Sequence, residues 1–266
     1  MKTLLSWKAP NGQSHSGKHA KSFLICALAS VPLLLGVSGF ASAKQQGHVN
    51  VLELFTSQGC SSCPPADALL RTLSTKDDII ALTLPVNYWD HLGWKDTLAK
   101  DAYTKRQYEY ANERGDREIY TPQMVVNGIA HVVGSRPDAV DTAIRNTDRL
   151  LEPVTVEMSL DQEADRIDLA AGAAPEGSSY RSGKIWIACY SKSVDVSIKR
   201  GENTGRKIVY TNVVRELIPA GSWTGEATKL SVNLPSSMEF DGVAVFLQAD
   251  DSRAIIGAAQ IPFRPQ

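Results

Sequence analysis

Val51-Leu52-Glu53-Leu54-Phe55-Thr56-Ser57-Gln58-Gly59-Cys60-Ser61-Ser62-Cys63-Pro64-Pro65 is the stretch on which the reading of this chain turns. Val49 to Phe55 reads as a strand, and two cysteines separated by two residues stand where it ends. Such a pair can close a small disulfide ring. A helix beginning there sets its N-terminal N–H groups and positive dipole end near the first sulfur, which stabilises the nucleophilic thiolate. By position Cys60 is the attacking thiol, and Cys63, drawn into the first helical turn, is the resolving one. Pro64 and Pro65 are tolerated in a first turn whose N–H groups lack internal partners, with Ser62 near the N-cap. Each proline also turns its predecessor away from helical angles. The sequence therefore predicts a partly extended Cys63, a late helix start and a weakened dipole effect on Cys60.

Outward from this pair the pattern alternates. Ala66 to Leu73 has apolar residues at helical spacing, and Ile79 to Val86 is an apolar run of the kind buried in parallel sheets. Leu98 to Arg114 reads as a polar-faced helix ended by Gly115. Gln123 to Val126 and Ile129 to Val133 flank Asn127-Gly128, a strong hairpin signal, and Pro137 opens a last helix reaching about Thr147. The order β-α-β-α-β-β-α over residues 44–151 is that of an α/β thioredoxin-like domain, and the hairpin after the second helix separates it from other open α/β sheets. Over residues 152–266 short strand patterns take over, at 154–160, 184–190, 194–199, 207–217, 230–234, 243–248 and 255–263. They predict a β-rich, sandwich-like C-terminal domain.

Several side chains join the cysteines as candidates. Thr121-Pro122 stands directly before a strand, where thioredoxin-like proteins carry a cis-proline loop facing the thiols. Pro122 is therefore expected to shape the substrate groove with Thr121 beside it, although a proline at a strand start is tolerated without such a role. Glu53 puts a carboxylate inside a buried strand, which is costly unless it is paired or protonated. A raised pKa would suit it to carry protons for Cys63, and a cation partner is the structural alternative. Trp89 and Trp94 follow the central strand, where open sheets place ligands, so Trp89 is a candidate substrate contact; both rings could equally cement the loop. Cys189 alternates with Ile185 and Ile187 and reads as a buried, inert thiol. A structural zinc site needs about four ligands, and only His48, His91, His131 and Cys189 could supplement the pair, so no metal and no cofactor is assigned.

The 266 residues are 43% hydrophobic and 21% charged, with formal net charge -1, which suits one large or two modest domains. That balance carries no electrostatic footprint for nucleic acid or an anionic membrane. Residues 1–43 differ from the rest: Lys2, Lys8, Lys18 and Lys21 precede the apolar run Phe23 to Val37, and Ala41-Ser42-Ala43 offers a cleavage site. This reads as a Sec-type signal peptide, since the first arginine is Arg71. Pro32 breaks the run, which falls below the ~20 residues of a spanning helix. The mature chain is expected in the periplasm or outside the cell, without stable membrane insertion, keeping Cys60, Cys63 and Cys189.

Val51 to Asp67, Tyr88-Trp89-Asp90 with Gly93 to Asp96, Tyr120 to Gly128, and Gly201-Glu202-Asn203 resemble the bacterial family called domain of unknown function 1223. The resemblance implies a thioredoxin-like fold in exported bacterial proteins and no defined activity. Cys60, Cys63 and Thr121-Pro122 match the wider thioredoxin superfamily position by position. Ser61-Ser62 is neither the Gly-Pro of reducing thioredoxins nor the Pro-His of strong periplasmic oxidants, so either direction of electron flow fits. The leading expectation is an exported thiol-disulfide oxidoreductase acting on a protein or small-molecule thiol or disulfide. Two alternatives stand beside it. One is a Cu(I) carrier using Cys60 and Cys63, with His91 or Met124 nearby. The other is a binding module with a permanent disulfide.

Overall fold

Strand β2 (Asn50–Thr56) is buried on both faces because it has neighbours on both edges and helices above and below. β3 (Ile79–Pro85) pairs with it in parallel, and β4 (Gln123–Val126) pairs antiparallel on the other side. Its side chains alternate: Leu52 and Leu54 pack with Ala66 and Leu70 of α1 (Pro64–Leu73) and Val140 of α3 (Pro137–Leu151). Val51 and Phe55 pack on the opposite side with Tyr103 and Tyr110 of α2 (Asp101–Arg114). This computed structural model describes residues 43–44, 48–235 and 239–263. Apart from Ala43, the expected leader lies outside them.

β4 turns through Asn127-Gly128 into β5 (Ala130–Val133), and both turn residues have positive φ, 50° and 75°. The turn is buried. Asn127 Oδ1 accepts from Val51 N at 2.7 Å, and its Nδ2 donates to Asn50 Oδ1 and Thr147 Oγ1. A Cβ on Gly128 would lie 2.0 Å from the Arg253 carbonyl oxygen, so the close approach admits only glycine.

The second half of the chain adds β6 (Met158–Glu163), β7 (Arg166–Ala171), β8 (Gly183–Ser197), β9 (Lys207–Trp223), β10 (Thr228–Asn233), β11 (Gly242–Ala249) and β12 (Ile255–Pro262). Four of these join the first half in an eight-stranded sheet of order β12-β11-β8-β9-β3-β2-β4-β5. The others form a four-stranded sheet, β1-β6-β7-β10, in which β1 is Ala43–Lys44. The fold is mixed α/β, and one sheet runs across the boundary expected at residue 152. Its seam is β3 against β9, with Thr83 opposite Val213. Side chains stitch this seam: Thr83 Oγ1 donates to Thr211 O, Asn212 Nδ2 to Ala81 O, and Tyr103 OH to Val214 O.

Two strand expectations change. Residues 184–190 and 194–197 belong to one long strand, β8, because its longer partner β9 pairs along it from Ser197 to Gly183, and 198 and 199 fall in the loop. β7 was not anticipated, although Ile167, Leu169 and Ala171 alternate inward. The β8–β9 hairpin is long enough to carry the loop 198–206 to the start of α1, where Asn203 reaches the Cys60 carbonyl. Replacing Gly128 with Ala is expected to destabilise the protein by about 3 kcal/mol or more, from overpacking and left-handed backbone together. A denaturant titration measures it.

Candidate functional site

Cys60 and Cys63 are joined by a disulfide, with Cα atoms 5.5 Å apart. Cys63 is the N-cap of α1, with φ -77° and ψ -36°, and the helix starts at Pro64. The partly extended Cys63 and the late start are thus corrected, while Ser62 stands directly before the N-cap and both prolines fall in the first turn. The reason is local hydrogen bonding that outweighs the pre-proline preference: Cys63 N donates to Cys60 O, and Ala66 N and Asp67 N both donate to Cys63 O. Pro64 and Pro65 have no N–H to offer. The first turn therefore leaves no free N–H of its own to receive a sulfur anion, although the helix dipole still favours one. Ser62 Oγ lies 3.4 Å from Cys60 Sγ.

Both cysteines are buried, Cys60 at 1% and Cys63 at 0% exposure, while Ser61 and Ser62 face solvent. Cover comes from the loop between β8 and β9. Asn203 Nδ2 donates to Gln58 O at 3.0 Å and Cys60 O at 2.8 Å, and Ser61 N donates to Glu202 Oε2 at 3.3 Å. Gly201 and Gly205 bound this latch with φ of 78° and 81°. Val196, Ile198, Ile208 and Tyr210 at the hairpin end pack against Trp94 and Leu98, and Arg71 Nη2 of α1 donates to Val209 O. Asp96 closes the other side: its carboxylate accepts from the N–H groups of Gln58, Leu98 and Ala99. Burial raises the Asp96 pKa, and those backbone donors partly oppose the rise.

Thr121–Pro122 is a cis peptide bond. Trp89 connects it to the cysteine loop: its Nε1 donates to Thr121 Oγ1 at 2.8 Å, and its Cβ would meet a Cβ on Gly59 at 3.0 Å. Trp89 is half-buried and Pro122 buried. Trp94 Nε1 donates to Gln58 Oε1, so its indole holds the loop.

Glu53 is not brought to the cysteines. It shares its face of β2 with Val51 and Phe55, under α2, whereas Cys63 opens α1 on the other face. There its carboxylate meets Arg106, Nε to Oε1 at 2.6 Å and Nη2 to Oε2 at 3.1 Å, and accepts from Tyr110 OH. Gln248 completes the cluster through Arg106 Nη1 and the Tyr110 hydroxyl. Burial opposes the Arg106 charge and Glu53 more than restores it, so the guanidinium pKa stands above its ordinary value. Cys189 lies in the core around Ile185 and Ile187, and burial pushes its thiol up to about 12. Met124 is buried with Leu52 and Leu54, His91 is exposed with Nδ1 2.8 Å from Tyr88 O, and no group of three potential metal-ligating side chains occurs among the described residues.

Sequence reasoning missed Asp67 and Asn203. Asp67 is 2% exposed, and neither carboxyl oxygen has a hydrogen-bond partner among the described residues. Burial lifts its pKa to about 7; neighbouring Asp96 adds to the rise, while Thr56 and Arg71 oppose it. A signal was present: Cys63, Ala66, Asp67, Leu70 and Leu73 form the buried stripe of α1, so Asp67 interrupts an apolar pattern. Asn203 stands in the Gly201-Glu202-Asn203 motif, but nothing local gives its role, since the carbonyl it holds is 143 residues away. The raised Asp67 pKa means the native state keeps a proton that the unfolded chain has already released between about pH 4 and 7. This contribution to stability is lost as pH rises through 7. Asp67→Asn should therefore gain thermal stability relative to the unsubstituted protein as pH goes from 5 to 8, measured as the difference in Tm.

A family model described as "Protein of unknown function (DUF1223)" matches residues 51–248. An X-ray structure of a protein from Agrobacterium tumefaciens is similar, at 32% identity and TM-score 0.68, over 82% of this chain and 95% of that one. HBP35 of Porphyromonas gingivalis shares the fold at 14% identity and TM-score 0.59, over 84% of this chain and 79% of that one. No curated protein matches.

Proposed function

The chain belongs to this family of unknown function (DUF1223), and from its latched cysteine pair we propose that it is an exported thiol-disulfide oxidoreductase. The observation that carries the reading is the Cys60–Cys63 disulfide between the end of β2 and the start of α1, tied through Trp89 to the cis Thr121–Pro122 bond. The element order β2-α1-β3-α2-β4-β5-α3 supports reading residues 44–151 as a thioredoxin-like core. A chain that uses its disulfide this way belongs in an oxidising compartment, in agreement with the expected signal peptide.

In the exchange a partner thiolate attacks Cys60 Sγ, a mixed disulfide forms at Cys60, and Cys63 leaves as a thiolate. Running the step backward re-forms the Cys60–Cys63 bond and releases the partner. Attack needs access to sulfur, and Cys60 is covered. The latch at Gly201 to Gly205 must lift first, turning about its two glycines, so access to the pair is gated. Thr121 and Trp89 border the entrance and Pro122 shapes it.

The same burial supports a second reading, a binding module whose disulfide is permanent. Trapping separates the two. Cys63→Ser should accumulate a mixed disulfide at Cys60 in periplasmic extract or a glutathione buffer, read by mass spectrometry; no adduct over a range of redox conditions favours the permanent bridge. Asn203→Ala removes two hydrogen bonds from the latch, each worth about 1 kcal/mol. The rate of disulfide reduction by dithiothreitol should rise about thirtyfold, and an unchanged rate removes the gate.

A further inference from the structure

Opening the Cys60–Cys63 bond leaves a negative sulfur on Cys63, a residue with no exposed surface. Charge there is costly, and a proton delivered to the sulfur relieves the cost. Asp67 is placed to supply it. Cys63 and Asp67 stand four residues apart on the buried stripe of α1, an arrangement that sets Cβ atoms about 5–6 Å apart. Helical side chains lean toward the N-terminus, so the carboxyl group leans back toward the turn that Cys63 caps.

No group meets that carboxyl group in hydrogen-bond geometry among the described residues, and Thr56 is the polar side chain near enough to lower its pKa. Thr56 Oγ1 at the end of β2 and Tyr210 OH on β9 are buried without hydrogen-bond partners, as are both Asp67 oxygens. The groups that act on Asp67 are Thr56 from β2, Asp96 from the segment before α2, and Arg71 one turn on along α1; Tyr210 on β9 feels Asp67 and Asp96 in turn. Arg71 is directed to Val209 O, and the Asp96 carboxylate is held by three backbone N–H groups. Asp67 is thus a buried acid one helical turn from Cys63, with no ion-pair partner among the described residues.

We propose that Asp67 is the proton store of the disulfide site, giving a proton to Cys63 when the bond opens and taking it back when the bond closes. This rests on the exchange chemistry proposed above. Written out, an incoming thiolate bonds to Cys60 Sγ, the Cys60–Cys63 bond breaks, and the electron pair goes to Cys63 Sγ. That sulfur takes the Asp67 proton, so the single negative charge that arrived on the thiolate ends on the Asp67 carboxylate. The incoming sulfur is oxidised and Cys63 reduced. In reverse, the carboxylate takes the proton from the Cys63 thiol, and the resulting thiolate attacks the mixed disulfide.

The test is the pH dependence of reduction by dithiothreitol, at concentrations where the rate is first order in thiol, with each rate divided by the fraction of reagent present as thiolate. For the unsubstituted protein the normalised rate should fall about tenfold between pH 6 and 8, following the protonated fraction of the internal acid. In Asp67→Asn, with folding checked by circular dichroism, the fall should vanish and the rate at pH 6 should drop at least tenfold. A flat profile in the unsubstituted protein overturns the proposal, as does an inflection that survives in Asp67→Asn. If Asp67→Asn does not fold, Asp67→Glu replaces it: a displaced inflection supports the proposal and an unmoved one overturns it. The outcome is separable from that of trapping. An adduct at Cys60 with no inflection keeps the oxidoreductase and removes the role of Asp67. An inflection abolished by Asp67→Asn with no adduct keeps the proton store and removes the oxidoreductase.

Discussion

Gln58 is where the site is held together. It has no exposed surface, and each of its polar atoms has a partner from another part of the chain. Its N–H donates to Asp96, its carbonyl accepts from Asn203, its Oε1 accepts from Trp94, and its Nε2 donates to Thr97. Two remote segments therefore converge on the residue two before Cys60. Loss of any of these bonds leaves a buried polar group unmatched, which costs more than the bond itself contributes. Such a constraint makes the conformation of the cysteine loop a property of the whole chain rather than of the local sequence.

Three buried carboxylates meet three different fates, Asp67 and Asp96 on the side of the cysteine loop and Glu53 on the other face of β2. Glu53 is neutralised by Arg106 and bridged by Tyr110. Breaking such a pair is strongly destabilising, which suits a role in joining β2 to α2 and Gln248. Asp96 is satisfied by backbone N–H groups and serves as a loop brace. Asp67 has neither kind of compensation, and it stands one helical turn after Cys63. Burial alone does not distinguish them; what each oxygen touches does.

Much of this was readable from the chain. Apolar runs and Asn127-Gly128 placed β2, β3 and the β4–β5 hairpin within a residue or two, because those signals are local and the structure does not override them. The cysteines, Thr121-Pro122 and Trp89, picked out by their positions at strand ends, lie in one connected cluster. Proline preferences alone misplace the helix start, because they omit the hydrogen bonds that the tight Cys60-to-Cys63 turn supplies. Glu53 was legible as an anomaly, but its partner Arg106 is 53 residues away on a helix whose pattern reads as polar. The shared sheet was invisible, since β3 meets β9 through one register pair and a few side-chain stitches that leave no periodicity.

The latch has a consequence in time. Asn203 lies 143 residues after Cys60, and contacts so far apart in sequence form late, while synthesis delivers the N-terminal part first. Until the β8–β9 hairpin is made and docked, the two thiols stand open to any oxidant, and afterwards they are closed over. Accessibility of the pair is thus tied to completion of the long-range fold.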